Sequence, residues 1–332
     1  MLDRFESKPR KTRTRLPVRE VRCRGVIPAV ITPCKASGQV DRAAMVRLCK
    51  TFSQQKCDGV FVIGSTGEMF LLDEEERRAM TEAAREGAGN TTLVYAGISG
   101  TGLKQIIRYA RYAAADGADV AVFMVPFSVK FSQAEIYDYI RAVADASPIP
   151  VAMYHHLRMP TPIEVDTVGR LAEHSNVIAI KDSSTDMERL KALVAVAKDT
   201  KLAVMQGCEN LLYASLEAGA CGCVSALGNV APEWHVALFD AWTRGDKAQA
   251  QAYQERILGL CKLFALEQLK QSFSNFSYFL KRGLQLRGWL KNTACVMPGY
   301  VPEPAFDEQV VEIFRAAAPE LLKAPTGSTK AK

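Results

Sequence analysis

From residue 25 onward, short apolar runs alternate with amphipathic stretches. The runs are 26–31, 59–63, 92–98, 120–125, 151–154, 177–181, 202–206 and 222–225. Each is near-continuously apolar, the pattern of strands buried on both faces of a parallel sheet. Between them, apolar positions recur at helical spacing over 42–56, 103–116, 132–146, 162–173, 186–198, 210–218 and 232–243. Asp41 suits an N-cap, and Ser132 and Glu135 stand at capping-box spacing. Asp73, Glu74, Glu75 and Glu76 load the first turn of another helix with acid, which the helix macrodipole favours. Eight strand–helix pairs in about 220 residues predict an α/β fold, a (β/α)8 TIM barrel. An open doubly wound sheet is the alternative.

Residues 246–291 are helical in pattern and hold no strand-like run. Pro298, Pro302 and Pro304 interrupt the chain before a last helix at 307–322. The predicted organisation is therefore a basic extension at 1–24, the barrel at 25–245, a C-terminal helical appendage at 246–323 and a polar tail at 324–332. A chain of 332 residues is long enough for one such barrel. Charge alters the picture only at one end. Residues 1–24 carry nine Lys or Arg against three Asp or Glu, which accounts for the whole net charge of +6. The barrel is thus neutral, the extension reads as solvated and disordered, and no nucleic-acid partner is expected. No apolar stretch approaches the roughly 18 to 20 residues of a membrane helix, so no membrane association is expected either. Nine cysteines, several inside apolar runs, lack framework spacing. They read as reduced thiols of a cytoplasmic protein.

Barrel chemistry sits at the C-terminal ends of strands. The sixth run ends in Lys181, followed by Asp182. A lysine at a strand end ordinarily reaches for solvent. The sharper reading is an amine that attacks a carbonyl to form a Schiff base. The second run leads into Gly64-Ser65-Thr66-Gly67-Glu68. Its amides and hydroxyls suit a small carboxylate, although a plain strand-to-helix turn would look similar. No Gly-Lys-Ser/Thr follows, so it is not a phosphate loop. The fifth run ends in Tyr154-His155-His156, where a phenol can either pack or pass protons. Adjacent strand residues face opposite ways, so the two histidines do not share a metal. Cys221-Gly222-Cys223 lacks metal-site spacing, and neither a metal nor a cofactor is expected. The glycines at 97, 100 and 102 are in the wrong order for a dinucleotide fingerprint, and there is no nucleophile elbow.

Taken together, residues 25–33 (GVIPAVITP), Gly64–Glu68 (GSTGE), Tyr154, residues 178–182 (IAIKD), residues 207–210 (GCEN), Gly219-Ala220 and Asn229 form an ordered set. In these residues the chain resembles the dihydrodipicolinate synthase / N-acetylneuraminate lyase superfamily of class I aldolases. The resemblance spans roughly residues 25–300. It implies that Lys181 forms the Schiff base with a 2-oxo acid such as pyruvate and that Tyr154 is the general acid/base. It also implies that Ser65 and Thr66 hold the substrate carboxylate, with Ser65 relaying the proton of Tyr154, and that Gly64 belongs to the same cradle. No metal is used, and a homotetramer built as a dimer of dimers is expected.

Two departures bear on substrate. The superfamily carries an interface tyrosine after the fourth strand, where this chain has Ser128. It also carries an Asn-x-Pro after the catalytic tyrosine, and its synthases an arginine. Here the stretch reads His155-His156-Leu157-Arg158-Met159-Pro160, with Arg158 one position early. The neuraminate lyases bind sugar hydroxyls after the seventh-strand glycine, which corresponds to Gly207 with Glu209 and Asn210. The expected substrate contacts are therefore Gly64, Thr66, Ser128, His155, Gly207, Glu209 and Asn210. The expected activity is a Schiff-base lyase that cleaves or forms a 2-keto-3-deoxy sugar acid, giving pyruvate and an aldehyde. A dehydratase acting through the same imine, a dihydrodipicolinate synthase and a non-catalytic binding protein on the same barrel are the alternatives.

Overall fold

The computed structural model describes Val21, residues 23–127 and residues 129–322. Ser128, most of the basic extension and the polar tail lie outside the described residues. Eight strands alternate with helices along the chain: β1 (Gly25–Pro28), α1 (Arg42–Gln54), β2 (Gly59–Val62), α2 (Glu74–Ala88), β3 (Leu93–Gly97), α3 (Leu103–Ala115), β4 (Val120–Phe123) and α4 (Gln133–Ala146). Then come β5 (Val151–His156), α5 (Val165–Leu171), β6 (Val177–Ser183), α6 (Met187–Ala197), β7 (Ala203–Gln206), α7 (Leu212–Glu217), β8 (Gly222–Ser225) and α8 (Pro232–Thr243). All strand pairs are parallel, in the order β1-β8-β7-β6-β5-β4-β3-β2. The seam between β1 and β2 closes just past their ends. There Ala29 bridges Phe61, and the Val30 amide donates to the Phe61 carbonyl at 2.8 Å. The fold is thus a (β/α)8 barrel, and the open-sheet alternative is excluded by that closure.

Local chemistry explains the element starts. Asp41 accepts from the Ala44 amide at 2.9 Å and caps α1. Asp73 and Glu76 form a capping box at α2, as Ser132 and Glu135 do at α4. The continuous apolar runs fill the barrel wall on both sides, with Val60, Val62, Val94, Val120, Val151 and Ile180 fully buried.

The structure departs from the sequence pattern in two places. β5 and β6 continue through polar residues, to His156 and Ser183, because ladder pairing outlasts apolarity: Tyr154 pairs with Lys181, His155 with Asp182 and His156 with Ser183. The segment after α8 is helical without a strand, as its pattern predicts, but it is not continuous. It breaks into α9 (Lys247–Cys261), α10 (Gln268–Gln271) and α11 (Phe273–Leu286), and α12 (Pro304–Ala317) follows the proline-rich stretch. No described helix is long and apolar enough to cross a membrane.

Candidate active site

Lys181 and Tyr154 sit opposite each other on adjoining strands, and both are buried. The Lys181 Nζ lies 4.2 Å from the centroid of the Tyr154 ring and 5.5 Å from that of Phe61. The two rings meet edge to face at 6.5 Å. The nitrogen is therefore flanked by two aromatic rings, and among the described residues no carboxylate pairs with it. The Tyr154 hydroxyl lies 3.1 Å from Ser65 Oγ, which joins the end of β5 to the turn after β2. Thr66 is buried beside Ser65. Gly207 follows β7, and its amide donates to the Asp182 carbonyl at 2.7 Å. A Cβ at Gly207 would stand 2.0 Å from Ser183 Oγ and 3.1 Å from Lys181 Cε, so only glycine leaves the lysine its place.

The turn after β2 is strained and held. Ile63 and Glu68 both have φ of +58°, which costs about 1–3 kcal/mol each for residues with a Cβ. Thr32 Oγ1 donates to the Gly67 carbonyl at 2.6 Å, and the Glu68 amide donates to the Ser65 carbonyl at 3.1 Å. The strongest tie comes from the C-terminal helices. Glu68 is fully buried and pairs with Lys281 of α11 at 2.5 Å, while its other oxygen accepts the Val296 amide at 2.8 Å. Lys281 Nζ also donates to the Ala294 carbonyl at 2.8 Å. Desolvation opposes the Lys281 ammonium, but the Glu68 carboxylate outweighs it and raises the lysine above its ordinary pKa. The sequence pattern missed this pair, since 213 residues separate its members. The one available signal was Lys281 itself, a charged residue inside a strongly apolar stretch.

Of the expected site residues, Lys181, Tyr154, Ser65, Thr66, Gly64 and Gly207 gather at the C-terminal mouth of β2, β5, β6 and β7. Three others stand elsewhere. His155 faces away from Tyr154, as strand alternation requires, toward the outer ion pair of Asp182 and Arg189 (2.8 Å). Burial and Arg189 push its imidazole down to about 4, and its Nδ1 has no hydrogen-bond partner among the described residues. Glu209 spends Oε1 on the turn after β8, accepting from Ser225 Oγ (3.0 Å) and the amides of Ala226 (2.6 Å) and Leu227 (3.0 Å). Asn210 is exposed. The histidine that shares a face with Tyr154 is His156, whose ring meets the tyrosine edge to face at 5.8 Å. Arg158 lies with its guanidinium 6.0 Å from the Phe273 ring. Asn229 ties β8 to β1, with Nδ2 donating to the Ala29 carbonyl at 2.7 Å and Oδ1 accepting the Ile31 amide at 3.1 Å. Among the described residues, no three His, Cys, Asp or Glu side chains converge as metal ligands.

A buried lysine facing a tyrosine at adjoining strand ends of a (β/α)8 barrel, with a hydroxyl-bearing turn alongside, defines a Schiff-base aldolase site. The chain belongs to the dihydrodipicolinate synthetase family, whose model matches residues 22–316, and it is accordingly an enzyme of the lyase class. Among its relatives is the 4-hydroxy-tetrahydrodipicolinate synthase of Methanothrix thermoacetophila, 32% identical over 245 residues, or 74% of this chain and 82% of that protein. Another is the putative 2-dehydro-3-deoxy-D-gluconate aldolase YagE of Escherichia coli K12, 32% identical over 249 residues, or 73% of this chain and 82% of that one. The crystal structure of YagE in complex with pyruvate matches with a TM-score of 0.83 at 28% identity, covering 89% of this chain and 98% of the other. Dihydrodipicolinate synthase from Aquifex aeolicus matches at 0.82 and 28%, covering 91% and 100%.

Proposed function

We propose that the protein is an aldolase that cleaves, and in reverse forms, a 2-keto-3-deoxy sugar acid, with pyruvate as one product and an aldehyde as the other. The observation that carries this is the chain Lys181–Tyr154–Ser65: an amine 4.2 Å from a phenol ring whose hydroxyl is 3.1 Å from a second hydroxyl. In this reading the free-base amine of Lys181 attacks the 2-oxo carbon, water leaves, and the iminium draws the electrons of the C3–C4 bond. Tyr154 takes the proton from the C4 hydroxyl and Ser65 connects it to the substrate carboxylate, which Thr66 and the amides after Gly64 hold. No metal or cofactor enters these steps. Arg158 stands one position early in the stretch after Tyr154, which favours the aldolase over a dihydrodipicolinate synthase. The 2-keto-3-deoxy-gluconate named for YagE is the first substrate to try. Assembly as a dimer of dimers belongs to the same proposal. So does a cytoplasmic location, which rests on the use of cysteine as a small buried hydrophobe.

Incubation with pyruvate and borohydride followed by peptide mapping is the decisive experiment. A mass adduct on Lys181 is expected, and an adduct elsewhere or none sinks the reading. A panel of keto-deoxy acids, followed for pyruvate release against 2,5-dioxo products, separates cleavage from dehydration.

A further inference from the structure

His156 is the last residue of β5, two positions beyond Tyr154 and on the same face. It thus stands on the mouth side of the tyrosine, where the half of the substrate not bonded to Lys181 must lie. Its Nδ1 accepts the Arg158 amide at 3.0 Å. A neutral ring with Nδ1 so occupied carries its proton on Nε2. Nε2 has no protein partner among the described residues, and the ring is half-buried. Burial, then Lys181 and Arg158, push the imidazole down to about 4, so it is neutral at ordinary pH.

We propose that His156 is a catalytic residue that donates its Nε2 proton, as a hydrogen bond, to the aldehyde oxygen of the substrate. This rests on the aldolase reading above. In the addition direction, C3 of the enamine bonds to the aldehyde carbon, the enamine nitrogen becomes an iminium, and the carbonyl π pair moves onto oxygen. Tyr154 gives that oxygen its proton, and it regains one from the methyl group of the next pyruvate iminium. The hydrogen bond from His156 holds the charge while it develops, as a fixed donor in a desolvated site does. A neutral donor suits a site that already contains a cationic iminium. Glu209 and Asn210, expected to meet the distal hydroxyls, are respectively committed to the β8 turn and exposed. His156 therefore takes up the task of recognising the hydroxyl nearest the scissile bond.

The test uses the full chain and two reactions. Deuterium exchange into the pyruvate methyl group, read by NMR in D2O, requires the imine and Tyr154 but no aldehyde. Addition of pyruvate to D-glyceraldehyde requires all three. For His156→Phe, and for His156→Ala should the first not fold, exchange is expected within about threefold of wild type. Addition is expected to fall about 100-fold in kcat with KM for pyruvate unchanged. His156→Gln, which restores an N–H donor, is expected to recover about tenfold of that loss. Equal loss of exchange and addition would assign His156 to the imine or to Tyr154 and overturn the proposal. Full addition by His156→Phe overturns it too, as does a wild type that exchanges but adds to none of glycolaldehyde, D-glyceraldehyde and benzaldehyde. A wild type that neither exchanges nor forms the Lys181 adduct overturns the aldolase reading beneath it.

Discussion

Among the described residues two lysines are buried, Lys181 in the barrel and Lys281 in α11, and their surroundings differ. Lys281 meets a carboxylate at 2.5 Å and a carbonyl at 2.8 Å, and these partners favour the cation strongly enough to outweigh its desolvation. Lys181 meets two aromatic faces, and among the described residues it has no carboxylate partner. The first arrangement makes a strut. It fastens the C-terminal helices to the strained turn that carries Ser65 and Thr66. The second leaves an amine whose nitrogen is committed to nothing that a carbonyl carbon could not replace. Burial alone thus does not mark a lysine as a nucleophile; the partner decides.

Exchanging each lysine sharpens the contrast. Lys181→Met is expected to lower turnover by about 10⁴-fold or more, with the fold intact by circular dichroism and no borohydride adduct. Lys281→Met should do the reverse. It leaves Glu68 charged and unpaired, costing about 3–5 kcal/mol in urea denaturation, while folded protein still forms the adduct on Lys181. Adding Glu68→Gln to Lys281→Met should restore part of that stability. If Lys281→Met instead abolished the adduct in fully folded protein, the division between strut and nucleophile would be wrong.

Tyr154→Phe comes next in size. Turnover is expected to fall about 10²–10⁴-fold while the ring packing against Lys181 and Phe61 survives. Full turnover would remove the phenol from the mechanism.

A third test sets the two histidines of β5 apart. The His155 imidazole is depressed to about 4, below the ordinary 6.5, mainly by burial and then by Arg189. The unfolded chain therefore binds more protons between those values, and stability falls as pH drops through that window, on the order of 3 kcal/mol at its lower end. His155→Gln should remove one of the two equal shares that His155 and His156 contribute to this dependence, in denaturation measured from pH 7 to 4, and leave turnover at pH 7 nearly unchanged. A large loss of turnover would return His155 to the substrate.

The smallest effect is expected from Gly207→Ala. The added Cβ presses on Ser183 Oγ and Lys181 Cε, and turnover should drop about 10- to 100-fold through misplacement of the amine. An unchanged rate of imine formation would mean that the lysine tolerates the shift.

The eight-strand count was legible because each strand is buried on both faces and reads as an apolar run. So were the caps at Asp41 and Ser132, which depend on neighbours three residues away, whereas Asp73, read as part of the first turn, proved to be the N-cap of α2. Where β5 and β6 end was not legible. Their last residues are polar, and the ladder pairing that carries them on is a contact between strands. The face of His156 could have been found, because strand alternation places residue 156 on the side of Tyr154 and residue 155 on the other. Glu209 could not, since its partners lie 16 to 18 residues away on another strand end.

By itself, then, the sequence determined a parallel barrel and put Lys181 and Tyr154 at strand ends; their working as a pair was what the resemblance implied. The barrel and the strand ends follow from periodicity and short-range spacing, which a linear chain records. Tertiary structure alone decided that the strands close between Ala29 and Phe61, that Glu68 is anchored by Lys281 and that Glu209 is spent on a turn. It also decided that, among the described residues, Lys181 has no counter-ion while Lys281 has one. Each of these depends on which distant side chain occupies the space around a charge, and desolvation makes that choice energetically large.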